Sequence, residues 1–312
     1  MKSSLSIRHL LGLEGVSESD IRAILDTAVE FRELLERPVK KVPSLRGLTI
    51  VNLFFENSTR TRTSFELAEK RLSADIVNFS SSSSSVQKGE TLLDTLKNIE
   101  SMKIDVVVVR HKGTGVPRFL ADHTNAIVVN AGDGAHEHPT QALLDMFTIE
   151  QKLGTLKGKR IAIVGDIRHS RVARSDSWGM TTLGAKVTLC GPSTLLPRYR
   201  KDFPDVSWET DVKKAVEGAD AVIALRLQKE RMEDSLLPSL REYRNYFGVT
   251  EEVLERASDS ALIMHPGPIN RGVELDSDVA DGAHSVILSQ VTNGVAVRMS
   301  ALYLLSGGRA NG

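Results

Sequence analysis

Short runs of Val, Ile, Leu and Phe alternate along the chain with longer segments in which apolar residues recur every three or four positions. In the first half the runs predict strands over residues 48–54, 75–79, 104–109 and 126–130. The periodic segments predict helices over 17–36, 60–72, 90–102 and 139–153, the first carrying Ile21, Ile24, Leu25, Ala28, Phe31 and Leu35 on one face. Strands that are apolar throughout and separated by helices belong to a parallel sheet covered on both faces. The pattern restarts after the polar stretch 154–159, with strands over 160–165, 186–190, 219–225 and 261–264 and helices over 172–183 and 290–305. The expected fold is α/β: two doubly wound parallel-sheet domains, over 1–150 and 151–290, with an interdomain cleft. Ligands of such folds sit at the carboxyl ends of the strands.

Composition narrows the function. The 312 residues suit about two domains, and 40 Lys+Arg balance 40 Asp+Glu to a net charge of zero. Nucleic-acid and membrane-surface binding both need excess basic charge, so neither partner is expected, and any anion must be met by locally placed groups. The lone Cys190 excludes a disulfide framework and a cysteine-based zinc site and points to a reducing compartment. No apolar run approaches the roughly 18 residues of a membrane span, and the first residues lack the apolar length and cleavage site of a signal peptide. A soluble cytoplasmic protein is expected.

Chemistry concentrates where a predicted strand gives way to a helix. Glu56-Asn57-Ser58-Thr59-Arg60-Thr61-Arg62 follows one strand and opens one helix. The helix start offers open N–H groups and a positive dipole end, the hydroxyls add donors, and Arg60 offers a bidentate guanidinium, all suited to a phosphate. An ordinary Ser/Thr cap with surface arginines is the competing reading. Neither GxxxxGK[ST] nor GxGxxG occurs, which favours a small phosphorylated substrate over a nucleotide. Residues 130–141 (NAGDGAHEHPTQ) repeat the strand–turn–helix arrangement and present His138 and Gln141 at the helix mouth. His136 and His138 lack the i, i+4 spacing of a helical metal pair, so a neutral histidine polarising a carbonyl is preferred and no metal or cofactor is expected. Arg110 ends a strand, Arg171 opens a helix after Gly165-Asp166, and Arg226 and Gln228 alternate onto one side beyond another strand. His265-Pro266-Gly267-Pro268 reads as a rigid turn that suits a cis peptide. Six serines at 80–85 run into Val86-Gln87-Lys88, which reads as either a flexible linker or an anion-handling flap.

Ser58-Thr59-Arg60-Thr61-Arg62 together with His138-Pro139-Thr140-Gln141 resembles the signature pair of the aspartate/ornithine carbamoyltransferase family, and the likeness runs through nearly the whole chain. Ornithine-specific members carry His-Cys-Leu-Pro where this chain has His265-Pro266-Gly267-Pro268, and Asp-x-Trp…Ser-Met-Gly where it has Arg226-Leu227-Gln228. Ser84 and Lys88 match the mobile loop of the aspartate branch. The resemblance therefore implies transfer of the carbamoyl group of carbamoyl phosphate to the α-amine of L-aspartate, the committed step of de novo pyrimidine biosynthesis. It implies that Ser58, Thr59, Arg60, Thr61, Arg110, His138, Gln141, Gly267 and Pro268 bind carbamoyl phosphate, with Arg60, Thr61, Arg110 and His138 catalytic. It assigns aspartate to Lys88, Arg171, Arg226 and Gln228, and it makes 1–150 and 151–290 the two substrate domains, with residues 291–312 returning to the first. A homotrimer is implied whose sites borrow Ser84 and Lys88 from a neighbouring subunit, and further assembly with regulatory chains or a dihydroorotase is allowed. Asn57 replaces a usual proline and Gly267 a usual leucine or alanine, neither contributing a side chain to the implied contacts. The competing readings are a carbamoyltransferase for another amine, a catalytically silent paralogue and a nucleotide-dependent oxidoreductase, the last lacking its glycine fingerprint.

Overall fold

The structure is a computed structural model, and it describes residues 5–80, 91–227 and 236–307. The chain divides into two compact units, one built from the chain up to Leu143 together with the chain from Thr292 onward, the other from Leu144–Val291. The predicted apolar runs of the first half form strands β1 (Thr49–Phe54), β2 (Asp75–Ser80), β3 (Val106–His111) and β4 (Ile127–Asp133). They pair in parallel in the order β2-β1-β3-β4, with Ile50 level with Val106 and Val106 level with Ile127. Helices α1 (Glu18–Leu34), α2 (Thr59–Arg71), α3 (Leu92–Glu100), α4 (Val116–Ala121) and α5 (Pro139–Leu153) connect and cover them.

Alternate side chains of β1, β3 and β4, Val51, Leu53, Val107, Val109 and Val128, are buried with Leu96, Ile99 and Leu120 in one core cluster. Parallel strands buried on both faces need no polar alternation, which is why the sequence shows continuous runs. Asn52 and Asn130 interrupt those runs and are nonetheless fully buried.

The second unit contains strands β5 (Arg160–Val164), β6 (Lys186–Cys190), β7 (Ser207–Glu209), β8 (Ala221–Ala224) and β9 (Leu262–Met264), all parallel, in the order β7-β6-β5-β8-β9. Helices α6 (Arg171–Thr182), α7 (Val212–Ala215), α8 (Leu240–Phe247), α9 (Glu251–Leu254) and α10 (Ser277–Ala280) flank them, and α11 (Ile287–Leu305) closes the chain's helical content among the described residues. From Thr292 onward α11 belongs with the first unit. There Ser300 Oγ donates to Ile24 O at 2.6 Å and Tyr303 meets Phe31 edge-on at 5.8 Å, so the last helix packs on the first. Among the described residues no helix is long and apolar enough to cross a membrane.

Candidate active site

In the first unit the groups of interest gather on the carboxyl edge of the sheet because β1, β3 and β4 are neighbours. Phe54 of β1 pairs with Arg110 of β3, and Phe55 N–H donates to Arg110 O at 2.9 Å. The chain then reverses into α2 with Ser58 at its cap, in extended conformation. Ser17, Thr91, Ser170, Ser239 and Thr250 each accept a hydrogen bond from the first turn of the helix they cap. Ser58 makes no such bond, and no acidic side chain sits in that turn. The ordinary capping role is thus not the one this residue plays, and the N-terminal N–H groups of α2 keep their affinity for an anion.

Arg110 is nearly buried and held at two points: its Nη1 donates to Ala131 O at 3.1 Å and its Nη2 lies 3.5 Å from Glu56 Oε1. The β3–β4 pairing shifts register between Val109 and His111, at the level of Arg110. Next to it, burial and the Lys112 charge lower the His111 pKa, and Gly113 N–H donates to its Nδ1 at 2.8 Å.

After β4 the chain makes a turn closed by buried polar groups. Asn130 Nδ2 donates to Asp133 Oδ1 at 2.8 Å, and Asp133 also accepts from Gly115 N–H, His136 and Glu137 N–H. Burial works to raise the Asp133 pKa, but the donors His136, Gly115 and Asn130 outweigh it and hold the carboxylate below its usual range. His136 is therefore engaged with Asp133, and among the described residues no cluster of three His, Cys, Asp or Glu is placed to hold a metal. Glu137 is fully buried and accepts from Leu13 N–H and Glu14 N–H, both at 3.1 Å. A Cβ on Gly12 would stand 2.6 Å from its Oε1, so that position needs glycine. These contacts seat buried His138 and Gln141 at the first turn of α5, where Gln141 N–H donates to His138 O at 2.9 Å.

In the second unit the loops after β5, β8 and β9 lie side by side for the same topological reason. Gly165 follows β5 with φ +142°, and a Cβ there would come within 2.8 Å of Leu225 Cβ, so the turn into α6 passes directly against the end of β8. Asp166 then accepts from His169 N–H and sits 2.9 Å from His169 Nδ1, and Arg171 begins α6 almost wholly buried. Arg226 follows β8 half-buried. Past β9, the Gly267–Pro268 peptide is cis, as the Pro-Gly-Pro sequence suggested. Gly267 N–H donates to His265 Nδ1 at 2.7 Å, which puts the ring proton on Nε2, 3.3 Å from Glu274 Oε1. Glu274 also accepts from Asn270 N–H at 2.6 Å, and Asn270 Nδ2 reaches Leu227 O at 3.5 Å, tying this loop to the Arg226 segment.

The structure thus brings Ser58, Thr59, Arg60, Thr61, Arg110, His138 and Gln141 to one edge of the first sheet. It brings Arg171, Arg226, Gly267 and Pro268 to one edge of the second. Ser84, Lys88 and Gln228 lie outside the described residues. Sequence reasoning did not single out Glu56, Asn130, Asp133, Glu137 or Glu274, whose carboxylates and amides hold the site residues in place. The one sign available was a polar residue inside an otherwise apolar or glycine-rich stretch.

Two family descriptions match the chain. "Aspartate/ornithine carbamoyltransferase, carbamoyl-P binding domain" matches residues 8–151 and the corresponding "Asp/Orn binding domain" matches residues 157–305. The chain is 62% identical over 302 residues to an aspartate carbamoyltransferase catalytic subunit of Gemmatimonas aurantiaca, covering 97% of this chain and 94% of that one. It is 57% identical to the one of Cytophaga hutchinsonii, covering 98% and 100%. Among solved structures, an ornithine carbamoyltransferase of Pyrococcus furiosus superposes with TM-score 0.87 at 29% identity, covering 98% of this chain and 99% of that one. Aspartate transcarbamoylase of Trypanosoma cruzi in complex with carbamoyl phosphate and aspartate does so with TM-score 0.84 at 28% identity, covering 95% of each. Backbone shape is shared by both amine specificities, whereas the high identities fall on aspartate enzymes.

Proposed function

We infer the activity from the chain's family: it belongs to the aspartate/ornithine carbamoyltransferases. It transfers the carbamoyl group of carbamoyl phosphate to the α-amine of L-aspartate, giving N-carbamoyl-L-aspartate and phosphate, a reaction of pyrimidine biosynthesis. The observation that carries the choice of amine is Arg171, buried at the first position of α6, with Arg226 at the end of β8. Two guanidiniums, that of Arg171 buried and that of Arg226 half-buried, suit the two carboxylates of aspartate and repel the side-chain ammonium of ornithine.

Ser58, Thr59, Arg60 and Thr61 take the phosphate at the uncapped start of α2, and Arg110 bridges phosphate and carbonyl. The aspartate nitrogen attacks the carbamoyl carbon, the C–N bond forms, and the C–O bond to phosphate breaks. Thr61, Arg110 and His138 face the carbonyl oxygen while it carries negative charge, and Gln141 with the carbonyls of Gly267 and Pro268 holds the carbamoyl nitrogen. The amine proton leaves with the phosphate, so the chain needs no nucleophile and no dedicated base. Catalysis then consists of positioning and charge stabilisation. Arg171 and Arg226, joined by Gln228 and Lys88, clamp the aspartate carboxylates.

The assembly belonging to this reading is a homotrimer in which Ser84 and Lys88 serve a neighbouring subunit's site. Regulatory chains or a dihydroorotase are the candidates for higher assembly. A cytoplasmic location goes with a single buried cysteine in a chain free of disulfides. Incubation with carbamoyl phosphate and each amine tests the activity: carbamoyl-aspartate is expected from aspartate and no citrulline from ornithine. Citrulline as the main product overturns the assignment.

A further inference from the structure

We propose that Gln290 and Asp145 are positioning residues for carbamoyl transfer, fixing through one buried amide the backbone that presents the Gly267 and Pro268 carbonyls. The proposal rests on the reading that those carbonyls hold the carbamoyl nitrogen. Gln290 lies in the first turns of α11 and Asp145 in the middle of α5, and both are buried, as is His265 at the end of β9. Gln290 Oε1 accepts from His265 N–H at 3.0 Å, and Gln290 Nε2 donates to Asp145 Oδ1 at 2.6 Å.

The orientation of this amide is not a matter of choice. A backbone N–H only donates, so the side chain must present its oxygen to His265, which leaves its Nε2 hydrogens for an acceptor oxygen of Asp145. His265 is then held on both sides of its own peptide. Its N–H is on Gln290, its Nδ1 takes the Gly267 N–H, and its Nε2 faces Glu274. Two backbone N–H groups leading to Pro268, those of His265 and Gly267, thus have their directions set by the side chains of Gln290 and of His265 itself, which Asp145 and Glu274 hold in turn. A half-satisfied chain of this kind, among residues as buried as these, costs more than the bond itself.

The polarity of the chain supplies its test. Gln290→Glu keeps an oxygen for His265 N–H but sets a second carboxyl against Asp145, a pair that can bond only by sharing a proton, so the assays are run at alkaline pH, where that proton is lost and two acceptors face each other. Asp145→Asn combined with Gln290→Glu restores the pattern in reverse, because the new asparagine amide donates to the new glutamate. Asp145→Asn alone is the reference for any other role of that carboxylate. Gln290→Glu is expected to raise the KM for carbamoyl phosphate and lower kcat, together by about tenfold, the order seen when a buried partner is lost. The KM for aspartate at saturating carbamoyl phosphate should move much less. The double variant should recover to within about threefold of the Asp145→Asn reference.

Wild-type constants in Gln290→Glu overturn the proposal. So does a double variant no better than the single one, or a fall in melting temperature without change in KM or kcat. Should Gln290→Glu not accumulate as folded protein, the double variant carries the test, and an unfolded or inactive double variant overturns it. A wild-type chain that forms no carbamoyl-aspartate would instead mark a failure of the underlying reading.

Discussion

Glu69 and Glu137 are both fully buried carboxyls, and the chain treats them oppositely. Glu137 accepts two backbone N–H groups of the segment Leu13–Glu14, a bonded replacement for water. Glu69, on α2, accepts only the Asn52 amide, at 2.8 Å, and its other oxygen has no hydrogen-bond partner. Burial, aided by the Glu66 charge and opposed by Asn52 and Lys70, pushes its pKa up to about 8. A carboxyl whose pKa is raised on folding binds its proton more tightly in the folded state, so stability is present at low pH and is lost as pH rises from the unfolded value toward 8. The slope in that window is about 1.4 kcal/mol per pH unit. Glu69→Gln, which keeps the acceptor for Asn52 and cannot ionise, should flatten the fall in melting temperature between pH 5 and pH 8. Equal slopes for wild type and variant would mean that Glu69 is ionised in the folded protein.

At the scale of elements, what could be read from the sequence was whatever repeats. β1 to β6, β8 and β9 announce themselves as continuous apolar runs, most of them buried on both faces although β2 lies at an edge with Val77 exposed, and α1, α5 and α11 because an apolar period persists over several turns. The four-residue helices α7, α9 and α10 and the three-residue strand β7 contain no full period and were not foreseen. At Ser58 the sequence allowed both a helix cap and an anion site, because hydroxyls serve both. Only the position of the hydroxyl, away from the first-turn N–H groups, separates them. Gln290 and Asp145 stayed hidden for another reason: a buried polar residue declares itself only with its partner, and these two are far apart in sequence.

The turn after β5 shows how an element boundary controls a site residue. Gly165→Ala would place a methyl group 2.8 Å from Leu225 Cβ in a backbone conformation that alanine resists. The end of β8, and Arg226 with it, must then move. A loss of about 1–3 kcal/mol in stability is expected, together with a raised KM for aspartate and a smaller change for carbamoyl phosphate. Aspartate saturation curves alongside thermal denaturation check this, and an unchanged curve would detach the turn from the aspartate residues.

For the whole molecule, the net charge of zero conceals a local arrangement. Arg110 is anchored by Ala131 O and Glu56, while Arg171 is buried at a helix start. The cations are thus built into sheet edges rather than spread over the surface. Nothing covalent supports that arrangement: Cys190 is buried, with its thiol pushed up to about 12 by burial and by Glu209 and Asp211, too high for ready reactivity. Such a site gains its last cation, Lys88, from a second chain if active sites are shared.

Sharing makes a quantitative claim. Lys88→Ala chains keep His138, and His138→Ala chains keep Lys88, so each alone forms only defective sites. In an equal, fully exchanged mixture, a complete site needs a His138-bearing chain beside a Lys88-bearing one, which occurs at about a quarter of positions in any closed ring. Recovery of about a quarter of wild-type activity after dissociation and reassociation is therefore expected, against almost none in either parent. An absence of recovery places both residues in the same chain's site. Because the quarter does not depend on ring size, the trimer needs its own measurement, a solution mass of about three times the 34.2 kDa of one chain.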